Sequence, residues 1–290
     1  MWRKTRIFME MIKIEHTLFA LPFAFMGALV GSVVTFHTLP SWAQIGWILL
    51  AMVGARSAAM GINRVADKVF DAKNPRTAMR AIPAGLISSK EAIIFIILSF
   101  VLLFVAAANL NPLCVKLLPI AVFFLVFYSY TKRFTWACHI FLGVAIALAP
   151  LGGWVAVTGE ITWTAMVFYV GIVFWLAGFD VIYACQDTEF DRKEGLHSIP
   201  ARFGIPKALV LARLFHMVTA AGLLSLYFLT DLTWLYLLGV LLSFALLFYE
   251  HFIVKPNDLS RVNTAFFTMN SMLSVAMFVF TLIDLVVFST

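Results

Sequence analysis

From residue 17 onward the sequence falls into nine apolar runs, at roughly 17–36, 43–66, 89–109, 113–130, 135–157, 162–186, 207–229, 232–251 and 264–287. As a helix, each is long enough to cross about 30 Å of hydrocarbon. Only 12% of the 290 residues are charged, against about 25% in an average soluble domain. Such a chain lacks the polar groups to cover a water-facing surface, which predicts an integral membrane protein. The N-terminal M-W-R-K-T-R is basic like a signal peptide, but the apolar run after it is too long for a signal core, so it is expected to be retained as the first span.

The formal charge of +6 does not point to nucleic acid, because the cations stand in short clusters between the runs. The connections 37–42, 158–161 and 230–231 contain no Lys or Arg, and that near 110–116 has only Lys116. The alternate connections carry Arg3, Lys4, Arg6, Lys13, Lys68, Lys73, Arg76, Arg80, Lys90, Lys132, Arg133, Arg192, Lys193, Arg202, Lys207, Lys255 and Arg261. The positive-inside rule then places the N-terminus in the cytoplasm, and nine spans place the C-terminus outside, an orientation that suits a bacterial inner membrane. Cys114, Cys138 and Cys185 fall in apolar stretches without metal-ligand spacing and read as small apolar fillers.

Two acidic blocks break the apolar pattern, both at the basic end of a span. In N-R-V-A-D-K-V-F-D, residues 63–71, helical geometry puts Asn63, Asp67 and Asp71 along one face. In D-V-I-Y-A-C-Q-D-T-E-F-D, residues 180–191, Asp180 and Asp187 are nearly two turns apart and Asp191 follows one turn later. I-P-A-G (82–85) follows the first block and I-P-A-R-F-G (199–204) the second, which suggests two related halves facing a shared cavity. Clustered carboxylates repel unless a cation neutralises them. Mg²⁺ suits them, since it takes oxygen ligands from one or two carboxylates and completes its shell with substrate phosphates. The cations Arg64, Lys68, Lys73, Arg76, Arg80, Lys132, Arg133, Arg192 and Lys193 fit the same metal-bound diphosphate. Arg56 and Asp180 lie deeper in their spans, where ionisable side chains are costly and face a polar cavity or a partner; they are expected to be functional members of one polar network.

These motifs resemble the UbiA superfamily of membrane aromatic prenyltransferases, whose two Asp-rich motifs run N-D-x-x-D-x-x-x-D and D-x-x-x-D, with a Tyr before the second. Here they read N-R-V-A-D-K-V-F-D and Y-A-C-Q-D-T-E-F-D. R-T-A-M-R-A-I-P-A-G (76–85) is similar to the family's basic segment, and Y-S-Y-T-K-R-F-T-W (128–136) to its Lys-Arg turn. The resemblance runs the length of the chain. It implies one all-α domain over 1–290, a nine-helix transmembrane bundle around a central cavity open to the cytoplasmic side. It also implies transfer of a polyprenyl group from polyprenyl diphosphate to a hydroxylated aromatic acid in ubiquinone or menaquinone biosynthesis.

By that resemblance Asn63, Asp67, Asp71, Asp187 and Asp191 would hold Mg²⁺ and diphosphate. Arg76, Arg80, Lys132 and Arg133 would contact phosphates or an acceptor carboxylate, and Tyr183 and Asp180 would touch the acceptor. Arg64 departs from the family pattern, which has Asp there. It resembles a 4-hydroxybenzoate prenyltransferase-like branch, some of whose members act on 1,4-dihydroxy-6-naphthoate in the futalosine route to menaquinone. His16 opens the first span and reads either as lining the acceptor pocket or as an interfacial histidine. The other histidines show no i,i+4 ligand pair, which excludes a histidine metal site on the sequence. Aromatic side chains are expected to shield an allylic cation, although the sequence does not choose among 29 Phe. Gly27 and Gly31 are expected to let two helices pack closely. Alternatives with the same charge pattern are a prenyltransferase for haem or another phenol, and an ion-coupled secondary transporter.

Overall fold

The computed structural model describes residues 2–12 and 17–288, so His16 lies outside the described residues. Among those described there is no strand beyond one isolated bridge, Lys255 to Asp258. In chain order the helices are α1 (Trp2–Met11), α2 (Thr17–Phe36), α3 (Trp42–Ala66), α4 (Lys68–Lys73), α5 (Ser89–Ala108), α6 (Pro112–Thr131), α7 (Cys138–Thr158) and α8 (Trp163–Ala184). After a 3₁₀ turn at Cys185–Asp187 come α9 (Thr188–Lys193), α10 (Ile199–Phe203), α11 (Ile205–Leu229), α12 (Trp234–Ile253), a π-helical turn at Thr264–Met269, and α13 (Asn270–Phe288).

Each apolar run of the sequence coincides with a helix; with the π-helical turn at Thr264–Met269 counted with α13, the largest offset is at the start of α7, Cys138 against an expected 135. Eight helices of the described chain are long and apolar enough to cross a membrane, and in α2 the apolar stretch is Ala20–Phe36. The chain is a multi-pass membrane protein. Local chemistry sets the helix ends at the sparsely charged connections. Ser41 and Gln44 form a reciprocal capping box on α3, Asn111 caps α6 just before Pro112, and Gly159 closes α7 with a positive φ of 72°.

The helices form two groups. In the first, α2 packs on α7, α7 on α8, α8 on α11, α11 on α12, α12 on α13, and α13 back on α2. Phe23, Trp154, Trp175 and Tyr236 fill its core. In the second, α3 packs on α5, and α6 bridges α3 to α7. The α2–α7 contact depends on glycine: a Cβ on Gly27 would stand 2.1 Å from the Pro150 carbonyl oxygen, and one on Gly153 2.2 Å from that of Ala24. The close packing expected of Gly27 is therefore observed. Gly27→Val is expected to destabilise the fold by about 1–3 kcal/mol through overpacking, measured as thermal unfolding of detergent-solubilised protein.

The N-terminal segment is more than a basic flank. α1 lies over the basic end of the bundle, with Phe8 stacked on Phe95 at 4.8 Å, Lys4 paired with Glu91, and the Met11 carbonyl accepting from Arg64 at 3.4 Å.

Candidate active site

Both acidic blocks sit where a spanning helix breaks, rather than on continuous helices. α3 ends at Ala66 and α4 starts at Lys68, although the i to i−4 bonds Asp67 N–H to Asn63 and Asp71 N–H to Asp67 run through the break. Asn63, Asp67 and Asp71 therefore still share one face. In the second block a tighter 3₁₀ turn separates α8 from α9, so Asp187 is rotated relative to the position a continuous helix would give it.

Asp67 is 2% exposed and Asp71 5%. Lys132 Nζ donates to Asp67 Oδ2 at 2.7 Å, and Asn63 Nδ2 donates to the same oxygen at 3.2 Å. Arg80 donates to Asp71 Oδ1 at 2.7 Å. The remaining oxygens, Asp67 Oδ1 and Asp71 Oδ2, are buried without a hydrogen-bond partner. Desolvating an anionic oxygen without a partner is costly, so two such atoms one turn apart are a place prepared for a cation.

The second block meets the first across the cavity. Arg76 donates twice to Asp187, at 3.0 Å and 2.5 Å, and once to the Tyr183 hydroxyl at 3.0 Å. Asn74 donates to Asp187 Oδ1 at 3.2 Å. Burial works against the Arg76 charge, but the Asp187 carboxylate outweighs it and holds the guanidinium above its ordinary pKa. Lys73 pairs with Glu194 at 2.6 Å, and Ser198 donates to Asp191 at 2.8 Å. Among the described residues no three His, Cys, Asp or Glu side chains converge as a metal cluster. An ion here would need oxygen ligands from a substrate, which is the habit of Mg²⁺.

These groups line a cavity of about 920 Å³ that takes in Asn63, Arg64, Asp67, Asp71, Arg76, Arg80, Lys132, Asp180, Tyr183, Asp187 and Asp191. Other residues with a sequence-stated role lie outside it. Arg133 donates to the Ala66 carbonyl at 2.6 Å and lies over the Tyr130 ring. Arg192 donates to the Ala201 carbonyl, Lys68 contacts Ser89, and Lys193 is exposed. Arg56 lines a second, apolar chamber of about 450 Å³ between α3, α5, α6 and α7. Tyr128 lines both spaces, so chamber and acidic cavity adjoin at its ring.

Several cavity residues escaped sequence reading. Asn74 and His139 occupy ordinary turn or helix positions with no spacing signal, and Tyr128 stood in the segment 128–136 without a role of its own. Phe266 and Phe267 reach the cavity from the π-helical turn, whose register no helical periodicity reveals. Phe266 lies 4.2 Å from Tyr183 and 4.8 Å from Phe267. His216 and His251, distant in sequence, meet at 2.9 Å away from this cavity.

Residues 23–272 match the UbiA prenyltransferase family. The chain belongs to that family. A 4-hydroxybenzoate octaprenyltransferase of Vibrio campbellii is 31% identical over 82% of this chain and 84% of its own length, and one of Vibrio atlanticus is 32% identical over 80% and 81%. Among solved structures, the apo form of a UbiA homolog from Aeropyrum pernix aligns with a TM-score of 0.84 at 29% identity, covering 93% of this chain and 98% of that one. A UbiA homolog from Archaeoglobus fulgidus bound to GPP and Mg²⁺ aligns at 0.76 over 97% and 100%, with 21% identity, and shares the fold. The protein is accordingly an enzyme, a prenyltransferase of the UbiA family, and the transporter alternative falls away.

Proposed function

We propose that the protein transfers a polyprenyl group from polyprenyl diphosphate to the ring of 4-hydroxybenzoate, or of a closely similar hydroxylated aromatic acid, in quinone biosynthesis. The observation that carries this reading is the pair of orphaned oxygens, Asp67 Oδ1 and Asp71 Oδ2, in an acidic and basic cavity that adjoins an apolar chamber. One half suits a metal-bound diphosphate and the other an isoprenoid tail. The names of the curated relatives favour 4-hydroxybenzoate. Arg64, buried at the cavity wall, offers a cation for the acceptor's carboxylate, and 1,4-dihydroxy-6-naphthoate carries the same group.

In this reading Asn63, Asp67, Asp71, Asp187 and Asp191 hold Mg²⁺, which supplies Lewis-acid neutralisation of the departing diphosphate. Lys132, Arg80 and Arg76 already lie against these carboxylates and turn to the phosphate oxygens when donor binds. That preorganised positive field favours ionisation of the allylic C–O bond. Tyr183, Phe266 and Phe267 present ring faces toward the resulting cation. The whole chain, 1–290, acts as one domain crossing the membrane nine times. Its basic end and the cavity mouth face the cytoplasm of a bacterial cell, and its C-terminus lies outside; the one-sided distribution of Lys and Arg supports this orientation.

The test is product formation by purified protein with geranyl or longer polyprenyl diphosphate, offered 4-hydroxybenzoate and 1,4-dihydroxy-6-naphthoate separately, with and without Mg²⁺. Mg²⁺-dependent prenylation of 4-hydroxybenzoate is expected. Turnover of the naphthoate alone would overturn the acceptor assignment, and prenylation of neither would overturn the reading.

A further inference from the structure

A hydrogen-bonded pair deep in the cavity is not used by the diphosphate half of the site. Asp180 Oδ2 lies 2.6 Å from Nδ1 of His139, whose side chain is 3% exposed, while that of Asp180 is 23% exposed to the cavity. The other ring nitrogen, Nε2, lies 3.2 Å from the backbone nitrogen of Ile199, whose N–H points at it. A backbone amide can only donate, so Nε2 must present its lone pair and the ring proton sits on Nδ1. Protonating both nitrogens would set two N–H groups against each other. His139 is thus oriented with Nδ1 toward Asp180 and Nε2 toward the Ile199 amide.

Asp67, Asp71 and Asp187 are each paired with a cation, Lys132, Arg80 and Arg76, and Asp191 accepts from Ser198 within the block proposed to hold Mg²⁺. Asp180 is held instead by His139 and stands outside both Asp-x-x-x-Asp motifs. It shares a face of α8 with Tyr183, one turn away, whose ring lies 4.2 Å from that of Phe266.

We propose that Asp180 accepts the hydroxyl proton of the aromatic acceptor, and that His139, aimed by the Ile199 amide, is the residue that positions it. The inference rests on the aromatic prenyl transfer argued above. The allylic C–O bond breaks with its electron pair leaving on diphosphate, and a ring π pair forms the new C–C bond. The acceptor's O–H pair becomes C=O as its proton passes to Asp180, giving a dienone. The ring C–H pair then restores aromaticity, that proton leaves with the diphosphate product, and Asp180 returns its proton to the ring oxygen. Atoms and electrons balance without a further reactant.

Asp180→Asn keeps the side-chain shape but cannot accept the proton. It is expected to retain thermal stability and Mg²⁺-dependent binding of geranyl diphosphate, while kcat with 4-hydroxybenzoate falls about 10²–10³-fold and KM moves less than about threefold. His139→Gln supplies both a donor for Asp180 and an acceptor for the Ile199 amide, and should stay within several-fold of the parent. His139→Leu, which supplies neither, should lose about 10²-fold in kcat with donor binding intact. The proposal is overturned if Asp180→Asn keeps parental kcat, if its loss appears equally in geranyl diphosphate binding, or if His139→Gln is as defective as His139→Leu. A parent enzyme that prenylates no hydroxylated aromatic acid would instead overturn the functional reading and this inference with it.

Discussion

Asp67→Asn should abolish prenyl transfer, lowering kcat/KM at least about 10³-fold, a loss of roughly 4 kcal/mol of transition-state stabilisation. The substitution is isosteric and removes one negative charge from the most buried carboxylate of the cavity. Its amide oxygen can still accept from Lys132 and Asn63, the two donors that now hold Oδ2. What it cannot do is present the anionic Oδ1, which is buried with no partner. If Asp67 holds Mg²⁺ as proposed, the donor's diphosphate would then face the cations of the site without metal neutralisation of its developing charge, which is worth several kcal/mol. The expected signature is loss of rate across all donors and acceptors, a higher Mg²⁺ requirement for the residual activity, and a melting temperature close to the parent's. Retention of more than a tenth of the activity would overturn the proposed role of Asp67 in holding a metal. Asp71→Asn should behave alike, for the same reason at Oδ2.

The architecture was legible because the bilayer imposes a length and polarity rule on every span, and each run of the sequence became a helix. The acidic residues were legible because a carboxylate in an apolar context is expensive, so Asp67, Asp71, Asp180 and Asp187 drew notice by position alone. What the sequence concealed was who meets whom. Arg133 and Lys132 are adjacent, yet only Lys132 reaches into the cavity; the turn after α6 sends the Arg133 side chain to the Ala66 carbonyl. Asp180 bonds His139, 41 residues away, and Arg56 lines the apolar chamber. His139 gave no signal because its partners come from α8 and the start of α10, a conjunction set by tertiary packing. The helix breaks at Asp67 and at Cys185–Asp187 were invisible for a different reason. No Gly or Pro marks them, and the backbone bonds around Asp67 keep their helical pattern.

Filling the apolar chamber should set the length of donor that the enzyme accepts. Gly152 lines that chamber, and a Cβ added there meets no atom within 4 Å, unlike Gly153 beside it. Gly152→Phe is therefore expected to project into empty space without displacing α7, and removing a mid-helix glycine even favours the helix. The competing environment for an isoprenoid tail is lipid, not water, so blocking the chamber costs little hydrophobic energy. Its effect is steric: a long tail that cannot enter past Tyr128 holds the diphosphate away from Asp67 and Asp71. A misplacement on the order of 1 Å can cost about 10²-fold in rate. We expect kcat/KM for geranylgeranyl and longer diphosphates to fall at least about 10²-fold, while dimethylallyl or geranyl diphosphate stays within several-fold of the parent. Competition between short and long donors, read by product mass, measures the ratio directly. A parallel loss for every donor would indicate damage to the fold. An unchanged ratio would show that the tail leaves the acidic cavity by another route, between the helices into the bilayer.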